Sequence, residues 1–115
     1  MKITRNVLAA VLGSALFALP AFAAEPIVGN WKTASGETAA IATCGGNFCI
    51  TVKTGKHTGK KIGTLSGSGE TYTGEVTDPD NDKTYSGSAA VAGNQLKLKG
   101  CVLKVLCKSQ TWSRL

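Results

Sequence analysis

Histidine is the scarcest residue of chemical interest in this sequence, with His57 alone among 115 residues. A histidine-rich metal site is therefore excluded, and a Ser–His–Asp triad would have to be built around that one residue. His57 stands in the run GKHTGKK, whose lysines favour a solvated loop. The run lacks the glycine spacing and the following helix of a phosphate-binding loop. We therefore expect no catalytic residue, no enzyme activity and no cofactor.

Aromatic residues are also few, at 6% of the chain. They are not interleaved with the basic residues in the way that single-stranded nucleic acid requires for base stacking. The sequence therefore predicts no nucleic-acid partner.

Long apolar runs are missing after the N-terminal residues. There, two basic residues precede the apolar segment VLAAVLGSALFAL, and the tripeptide AFA ends at Ala23, as at a signal-peptidase site. We expect residues 1–23 to be a signal peptide, with cleavage after Ala24 as the alternative, and residues 24–115 to be one small domain. The apolar segment is short for a bilayer span. The domain is therefore expected to be periplasmic or secreted and not membrane-spanning.

Acidic residues number 7 against 13 Lys and Arg, for a formal net charge of +6. Loss of Lys2 and Arg5 with the signal peptide would leave 11 basic residues and a net charge of about +4. Part of this charge is concentrated in one stretch, at Lys53, Lys56, Lys60 and Lys61. Such a cluster is either a solvated face or a site for an anionic partner.

The four cysteines form two close pairs in the sequence, Cys44 with Cys49 and Cys101 with Cys107. The spacings within the pairs are wide for a zinc knuckle and differ from the two-residue spacing of a thioredoxin-type site. An exported domain meets an oxidising compartment, so we expect disulfides. Four cysteines allow three connectivities, and the sequence leaves the choice open, although a bridge across the Gly45-Gly46 turn is compatible with the spacing.

Helical patterns are missing from the expected domain, where β-branched residues and glycines dominate and turn signals recur at short intervals. We predict eight strands, at residues 27–34, 37–43, 48–54, 60–66, 70–76, 83–91, 94–100 and 108–114. The short connections can join only antiparallel neighbours. The sequence therefore predicts an all-β fold, a small up-and-down antiparallel barrel of about eight strands.

The stretch EVTDPDNDKTYSG carries alternating acidic residues, as a calcium loop does, at Asp78, Asp80 and Asp82. An EF-hand would need glycine at the sixth position and glutamate at the twelfth, where this chain has Lys83 and Ala89. Asp, Pro and Asn are also the residues that form tight turns. We therefore predict a hairpin turn here and no metal site.

The ends of the expected domain, GNWKT and SQTWSRL, resemble the pattern shared by lipocalins and fatty-acid-binding proteins. In those barrels an arginine of the last strand packs over a tryptophan of the first. The resemblance implies that Gly29, Trp31 and Arg114 close one end of the barrel, through a cation–π contact.

Four motifs in order are similar to a secreted bacterial family, domain-of-unknown-function family 2147: GNWKTASGETAAI, CGGNFC, GEVTDPDNDKTYSG and LKGCVLKVLCKSQTWSRL. This resemblance implies a lipocalin-like fold and an extracytoplasmic bacterial protein. It implies no particular activity and supplies no catalytic residues.

An eight-stranded barrel can hold one small ligand, so we expect a non-enzymatic binding protein for a small apolar or amphipathic molecule. The residues expected to line the ligand site are Ile50, Val52, Tyr72, Tyr85 and Leu98. The alternative is a surface protein that binds an envelope component or a partner protein through the lysine cluster. The sequence leaves the ligand and the oligomeric state open.

Overall fold

The structure, a computed structural model, describes residues 25–103 and 105–115, and over these residues it is a barrel of eight strands without a helix. The predicted signal peptide lies outside the described residues. The strands are β1 (Gly29–Lys32), β2 (Thr38–Cys44), β3 (Asn47–Val52), β4 (Lys61–Ser68), β5 (Thr71–Asp78), β6 (Lys83–Ala92), β7 (Gln95–Val102) and β8 (Leu106–Arg114). All eight predicted strands are confirmed, and each observed end lies within two residues of its predicted position.

The strands follow one another around a closed sheet in chain order, and every neighbouring pair is antiparallel. The ring is completed by β1 and β8, where Trp31 pairs with Arg114 and Lys32 with Ser113. The predicted up-and-down antiparallel barrel is therefore confirmed. The closure is short, because the described residues of β8 that precede Ser113 pair with β7 and not with β1.

The core lies inside the barrel because side chains alternate between the two faces of each strand. Ile41 pairs with Ile50 and Leu96 with Trp112, so each pair faces inward together. The largest fully buried side chains are Trp31, Tyr72, Ile27, Ile41, Ile50, Leu65 and Leu96. Among the described residues, the buried side chains are all apolar or aromatic.

One end of the barrel carries three two-residue turns, at 45–46, 69–70 and 93–94, and we call it the closed end. Each turn begins with a glycine in the left-handed region, with φ of 65° at Gly45, 70° at Gly69 and 60° at Gly93. A two-residue hairpin loop of type II′ requires this conformation at its first position, which explains the glycines.

The opposite end, the open end, carries the longer loops 33–37, 53–60, 79–82 and 103–105. The aspartate stretch forms the third of these loops, which is the turn predicted from the sequence. The Asp78 side chain accepts a hydrogen bond from the backbone N–H of Asp80 at 2.9 Å. The Asn81 side chain accepts a hydrogen bond from the backbone N–H of Lys83, also at 2.9 Å. Asp82 has a φ of 56°, a conformation that aspartate tolerates in turns.

Each end of the barrel carries one disulfide. Cys44 is bonded to Cys49 beside a turn of the closed end, and Cys101 is bonded to Cys107 at the open end. The structure thus selects one of the three connectivities that the sequence left open. No helix in the part of the chain that the structure describes is long and apolar enough to cross a membrane.

Candidate functional site: a cavity at the open end of the barrel

Trp31 and Arg114 seal the closed end. The Arg114 guanidinium carbon lies 4.2 Å from the centre of the Trp31 ring, and Trp31 Nε1 donates to the carbonyl of Ile27 at 2.9 Å. Arg114 also donates to the carbonyls of Pro26, at 2.8 Å, and Val28, at 3.4 Å. The arginine therefore stabilises the N-terminal segment across the barrel floor.

Gly29 lies directly beneath this arginine. A Cβ atom built on Gly29 would stand 3.2 Å from Arg114 Nη1, and the φ of Gly29 is 144°. The three residues named from the lipocalin-like ends, Gly29, Trp31 and Arg114, therefore lie together in the structure, at the closed end.

Glu25 and Tyr72 tie the same segment to the turn between β4 and β5. The Glu25 carboxylate accepts hydrogen bonds from the backbone N–H of Gly69, at 2.8 Å, and from the Tyr72 hydroxyl, at 3.3 Å. The Tyr72 hydroxyl also lies 2.8 Å from the Gly69 carbonyl. Burial, together with the nearby Glu25 carboxylate, raises the pKa of Tyr72 above its ordinary value.

The open half of the barrel contains a cavity of about 420 Å³. Its apolar wall is formed by Val52, Ile62, Val76, Tyr85, Leu98 and Trp112. Residues of the loops at the open end surround its mouth, among them Glu37, His57 and Asp80. One end of the barrel interior is thus packed and the other is hollow.

A row of glycines on three neighbouring strands allows the groups packed against them to approach closely. Gly74 pairs with Gly87, and Gly87 with Gly100, so the three strands present no side chain to the interior at this level. At Gly74 a Cβ would stand only 2.0 Å from the backbone oxygen of Thr64, so the close approach of β4 also requires glycine. At Gly100 a Cβ would stand 2.8 Å from Cβ of Tyr85, whose side chain covers the glycine.

Polar groups also line the cavity. Trp112 Nε1 donates a hydrogen bond to Oε1 of Gln110 at 2.8 Å. This bond orients both the tryptophan ring and the glutamine side-chain amide, which lie on the same face of β8. The Lys108 Nζ atom lies 5.8 Å from the centre of the Tyr85 ring, within the range of a cation–π contact. The cavity therefore combines an apolar wall with hydrogen-bonding and cationic groups of β8.

Two loops meet across the mouth of the cavity. Asp80 lies 2.9 Å from Nε2 of His57 and 3.6 Å from Nζ of Lys56, and Asp82 lies 3.2 Å from Nζ of Lys60. The hydrogen bond with His57, followed by the charge of Lys56, lowers the pKa of Asp80 below its ordinary value. These contacts join loop 53–60 to the aspartate turn, so the mouth has a defined rim.

Glu37 contacts loop 53–60 and joins it to the loop between β1 and β2, in addition to the contacts with the aspartate turn. Thr54 Oγ1 donates to the Glu37 carboxylate and accepts from the backbone N–H of Thr38 at 2.9 Å. The Glu37 carboxylate lies where a side chain of Gly55 would be, and Gly55 has a φ of 85°. The rim is therefore fixed to both neighbouring loops by polar contacts.

The five residues predicted to line a ligand site divide between the two halves of the barrel. Val52, Tyr85 and Leu98 line the cavity. Ile50 and Tyr72 are buried outside the cavity lining, and the Tyr72 hydroxyl bonds at the closed end. The cavity is also lined by Val76, Gln110 and Trp112, which the sequence could not single out, because strand alternation shows which side chains face inward but not where the interior is unfilled.

The four lysines of the predicted cluster do not form one surface of free charge. Lys56 and Lys60 pair with aspartates at the rim, whereas Lys53 and Lys61 are exposed on either side of the loop. The sequence could not reveal these pairs, because the partners are more than twenty residues apart and belong to different hairpins.

A second depression, of about 440 Å³, lies on the outer surface of β4 and β5. Thr64, Ser66, Thr73 and Glu75 line it together with apolar residues, and it is open to solvent. Over residues 25–103 and 105–115 the structure contains no group of three His, Cys, Asp or Glu side chains that could hold a metal ion. The interior cavity is therefore the better candidate for a site.

A closed eight-stranded barrel that is sealed at one end and hollow at the other places this chain among the lipocalin-like up-and-down barrels by its architecture. The model of a family described as "Uncharacterized protein conserved in bacteria (DUF2147)" matches residues 60–114, which comprise β4 to β8. This match confirms the predicted family over those five strands. The motifs GNWKTASGETAAI and CGGNFC lie outside it. Comparisons with curated proteins and with solved structures gave no match.

Proposed function

We propose that this protein is a non-enzymatic binding protein that holds a small amphipathic molecule in the cavity at the open end of the barrel. The observation that carries the proposal is the contrast between a floor sealed by Trp31 and Arg114 and a hollow upper half of about 420 Å³. Small-molecule sites are typically concave, largely apolar and roughly 300–1,000 Å³ in volume, with a few polar groups. The cavity has these properties, at the small end of the range.

The chemistry of the lining favours an amphipathic ligand over a purely apolar one. An apolar body would contact Val76, Leu98 and Trp112 in the interior. A polar head would meet Lys108, Gln110 and the charged rim, where it would remain hydrated. A purely polar molecule would leave the apolar wall in contact with water and gain little from burial.

Binding is preferred to catalysis because of the surroundings of His57. Its ring bonds to Asp80, and among the described residues no hydroxyl or thiol bonds to the histidine as a nucleophile would. Asp80 is also the partner of Lys56, so the histidine belongs to a set of contacts that holds two loops together. We assign these groups to the shape of the mouth.

A location outside the cytoplasm is part of the proposal, in the periplasm or secreted. Two disulfides stabilise a domain this small, and disulfides persist in oxidising compartments. The bacterial family match is compatible with this location. The alternative function, binding of an anionic partner through the lysine cluster, has less support because Lys56 and Lys60 are already paired with aspartates.

Native mass spectrometry of the exported protein, recovered without detergent, tests the proposal first. We expect a reproducible non-covalent adduct of small mass in addition to the bare chain. The bare chain alone, even after incubation with a lipid extract of the envelope, would overturn the carrier interpretation.

Val76→Phe then tests the location of the site, with the amphipathic dye anilinonaphthalene sulfonate as the probe. Val76 lines the cavity, so a phenyl ring there should fill it and weaken dye binding by about tenfold or more, equivalent to roughly 1.4 kcal/mol. Thr73→Phe is the matched control, because Thr73 lies on the exposed face of the same strand. Equal loss in both variants, or in neither, would contradict an interior site.

A further inference from the structure

The hairpin between β7 and β8 ends in apolar side chains that the barrel leaves uncovered. Leu103 is 82% exposed, Val105 76% and Leu106 66%. We call these three residues, which lie between the bonded Cys101 and Cys107, the stapled tip. Isolated exposed apolar side chains are common in proteins, but three together at one turn indicate a surface that binds something apolar.

The disulfide determines the form of this tip. Cys101 pairs with Cys107 in the strand register and is bonded to it, and Val102 pairs with Leu106 just beyond. Leu103 adopts a φ of 57°, which a leucine rarely does. With its base covalently closed, the tip has little freedom to fold back and bury its leucines against the barrel.

Basic residues lie immediately behind the stapled tip. Lys99 precedes Cys101 by two residues and Lys108 follows Cys107 directly. In the described part of the chain neither lysine forms an ion pair, whereas the aspartates across the mouth are paired with Lys56, His57 and Lys60. The apolar side chains of the stapled tip therefore have lysines close to them in the chain, Lys104 between them and Lys99 and Lys108 on either side.

We infer that the stapled tip inserts into the surface of a lipid bilayer that contains anionic headgroups. Aliphatic side chains below the headgroups and lysines at their level form the arrangement by which peripheral proteins bind membranes. A protein partner fits less well, because protein interfaces favour Trp, Tyr and Arg anchors and are depleted in lysine. The tip offers Leu and Val with lysines around them.

Insertion at this place would bring the mouth of the cavity to the membrane surface. The tip belongs to the open end, and Gly100 and Lys108, next to its cysteines, line the cavity. The closed end, sealed by Trp31 and Arg114, would face away from the lipid. The inference stands on the tip itself and not on the occupancy of the cavity, so each can be tested without the other.

Vesicle flotation tests the inference, with the exported, oxidised protein. We expect binding to vesicles of phosphatidylethanolamine and phosphatidylglycerol, weaker binding to phosphatidylcholine alone, and weakening with salt. The double variant Leu103→Asn, Val105→Thr should lower binding by at least about tenfold, because each aliphatic side chain contributes by burial. Asparagine tolerates the positive φ of position 103, so the fold should be kept.

Leu115→Asn is the matched control, since Leu115 is 65% exposed but lies beyond β8 at the closed end. Its binding to vesicles should be unchanged. Equal loss in this control, or no binding of the unaltered protein, would overturn the inference. So would a dimer in size-exclusion chromatography that the double variant abolishes, because the tip would then bind a second copy of the chain.

A tryptophan at position 105 gives an independent measurement of insertion depth. The emission of Val105→Trp should shift to shorter wavelength with anionic vesicles and be quenched by brominated acyl chains, and unshifted emission would contradict insertion. Dye binding by the cavity, measured without vesicles, should be the same in the Leu103→Asn, Val105→Thr variant. Absence of dye binding in the unaltered protein, with its vesicle binding intact, would refute the proposed ligand site and leave the membrane contact standing.

Discussion

The two ends of the barrel are built from the same eight strands but differ in almost every other respect. At the closed end the turns have two residues each, and the N-terminal segment crosses beneath Arg114 and is held by Glu25. At the open end the loops are longer, their contacts are polar and the interior contains a cavity. Stability is therefore concentrated at one end, and the other end is available for binding.

The difference follows from the side chains that occupy the inward-facing positions of the strands at each end. Near the floor these positions carry large side chains such as Trp31 and Leu96, whose burial favours folding. Towards the mouth, inward-facing side chains such as Val76 and Tyr85 border the cavity. In a domain this small the core is limited, so a hollow half requires a well-packed other half.

Replacing each of the two tryptophans in turn tests the comparison of the two ends. We expect these replacements to have the largest effect on stability. Trp31→Ala should lower the free energy of unfolding by ~3–5 kcal/mol, because it empties the packed floor and leaves Arg114 without its ring. Trp112→Ala should cost less, because Trp112 already borders a cavity. Urea unfolding of both variants measures the difference. A larger loss for Trp112→Ala would show that the cavity wall, and not the floor, dominates stability.

Removing one disulfide at a time should give a smaller and unequal effect. The chain-entropy model assigns each short loop about 2 kcal/mol. We expect Cys44→Ser with Cys49→Ser to lose about that amount. Cys101→Ser with Cys107→Ser should lose less, because the exposed tip can then fray locally while the barrel remains folded. Hydrogen exchange would locate the fraying, and equal global losses without local opening would argue against a weakly packed tip.

Alkaline pH should affect the closed end through Tyr72. Its folded pKa is raised, so the folded state favours the neutral phenol, and stability should fall as the pH rises above the ordinary tyrosine value of about 10. Tyr72→Phe should cost ~0.5–1.5 kcal/mol at neutral pH, from the lost hydrogen bonds. It should also remove part of the alkaline loss in a pH series of urea titrations. An unchanged alkaline profile would assign that loss to other groups.

Acidic pH should have the smallest effect on stability, and it should act at the open end through Asp80. The folded pKa of Asp80 is lowered, so its contribution is present above the ordinary aspartate value of about 3.9 and is lost as the pH falls through the folded pKa. Asp80 is exposed, so we expect little change in global stability. Asp80→Asn should instead increase hydrogen exchange in loop 53–60 at neutral pH. Acidification should do the same in the unaltered protein but not further in the variant.

Much of this fold follows from local properties of the sequence. The β-branched residues and the recurring turn signals predicted eight strands, and the short connections predicted their order, because they permit only antiparallel neighbours. The cation–π closure was implied by the resemblance of the two ends to lipocalins. The connectivity of the disulfides was left open, since the spacing alone permits several.

The candidate site was predicted only in part, and for a physical reason. Val52, Tyr85 and Leu98 were expected to line a ligand site and line the cavity, whereas Ile50 and Tyr72 were also expected there and lie outside its lining. Inward orientation is a property of one strand, whereas empty space depends on what all eight strands contribute at one level. For example, the pairing of β5, β6 and β7 must be known before Gly74, Gly87 and Gly100 can be placed side by side.

The sequence by itself determined the class of fold, the strands, the aspartate turn and the number of cysteines available for disulfides. These depend on neighbours in the chain, such as a glycine able to begin a type II′ turn. Only the tertiary structure decided where the interior is hollow, that Lys56 and Lys60 meet aspartates from another hairpin, and that the stapled tip is uncovered. Those properties arise where distant segments meet or fail to meet, and strand alternation contains no information about such distances.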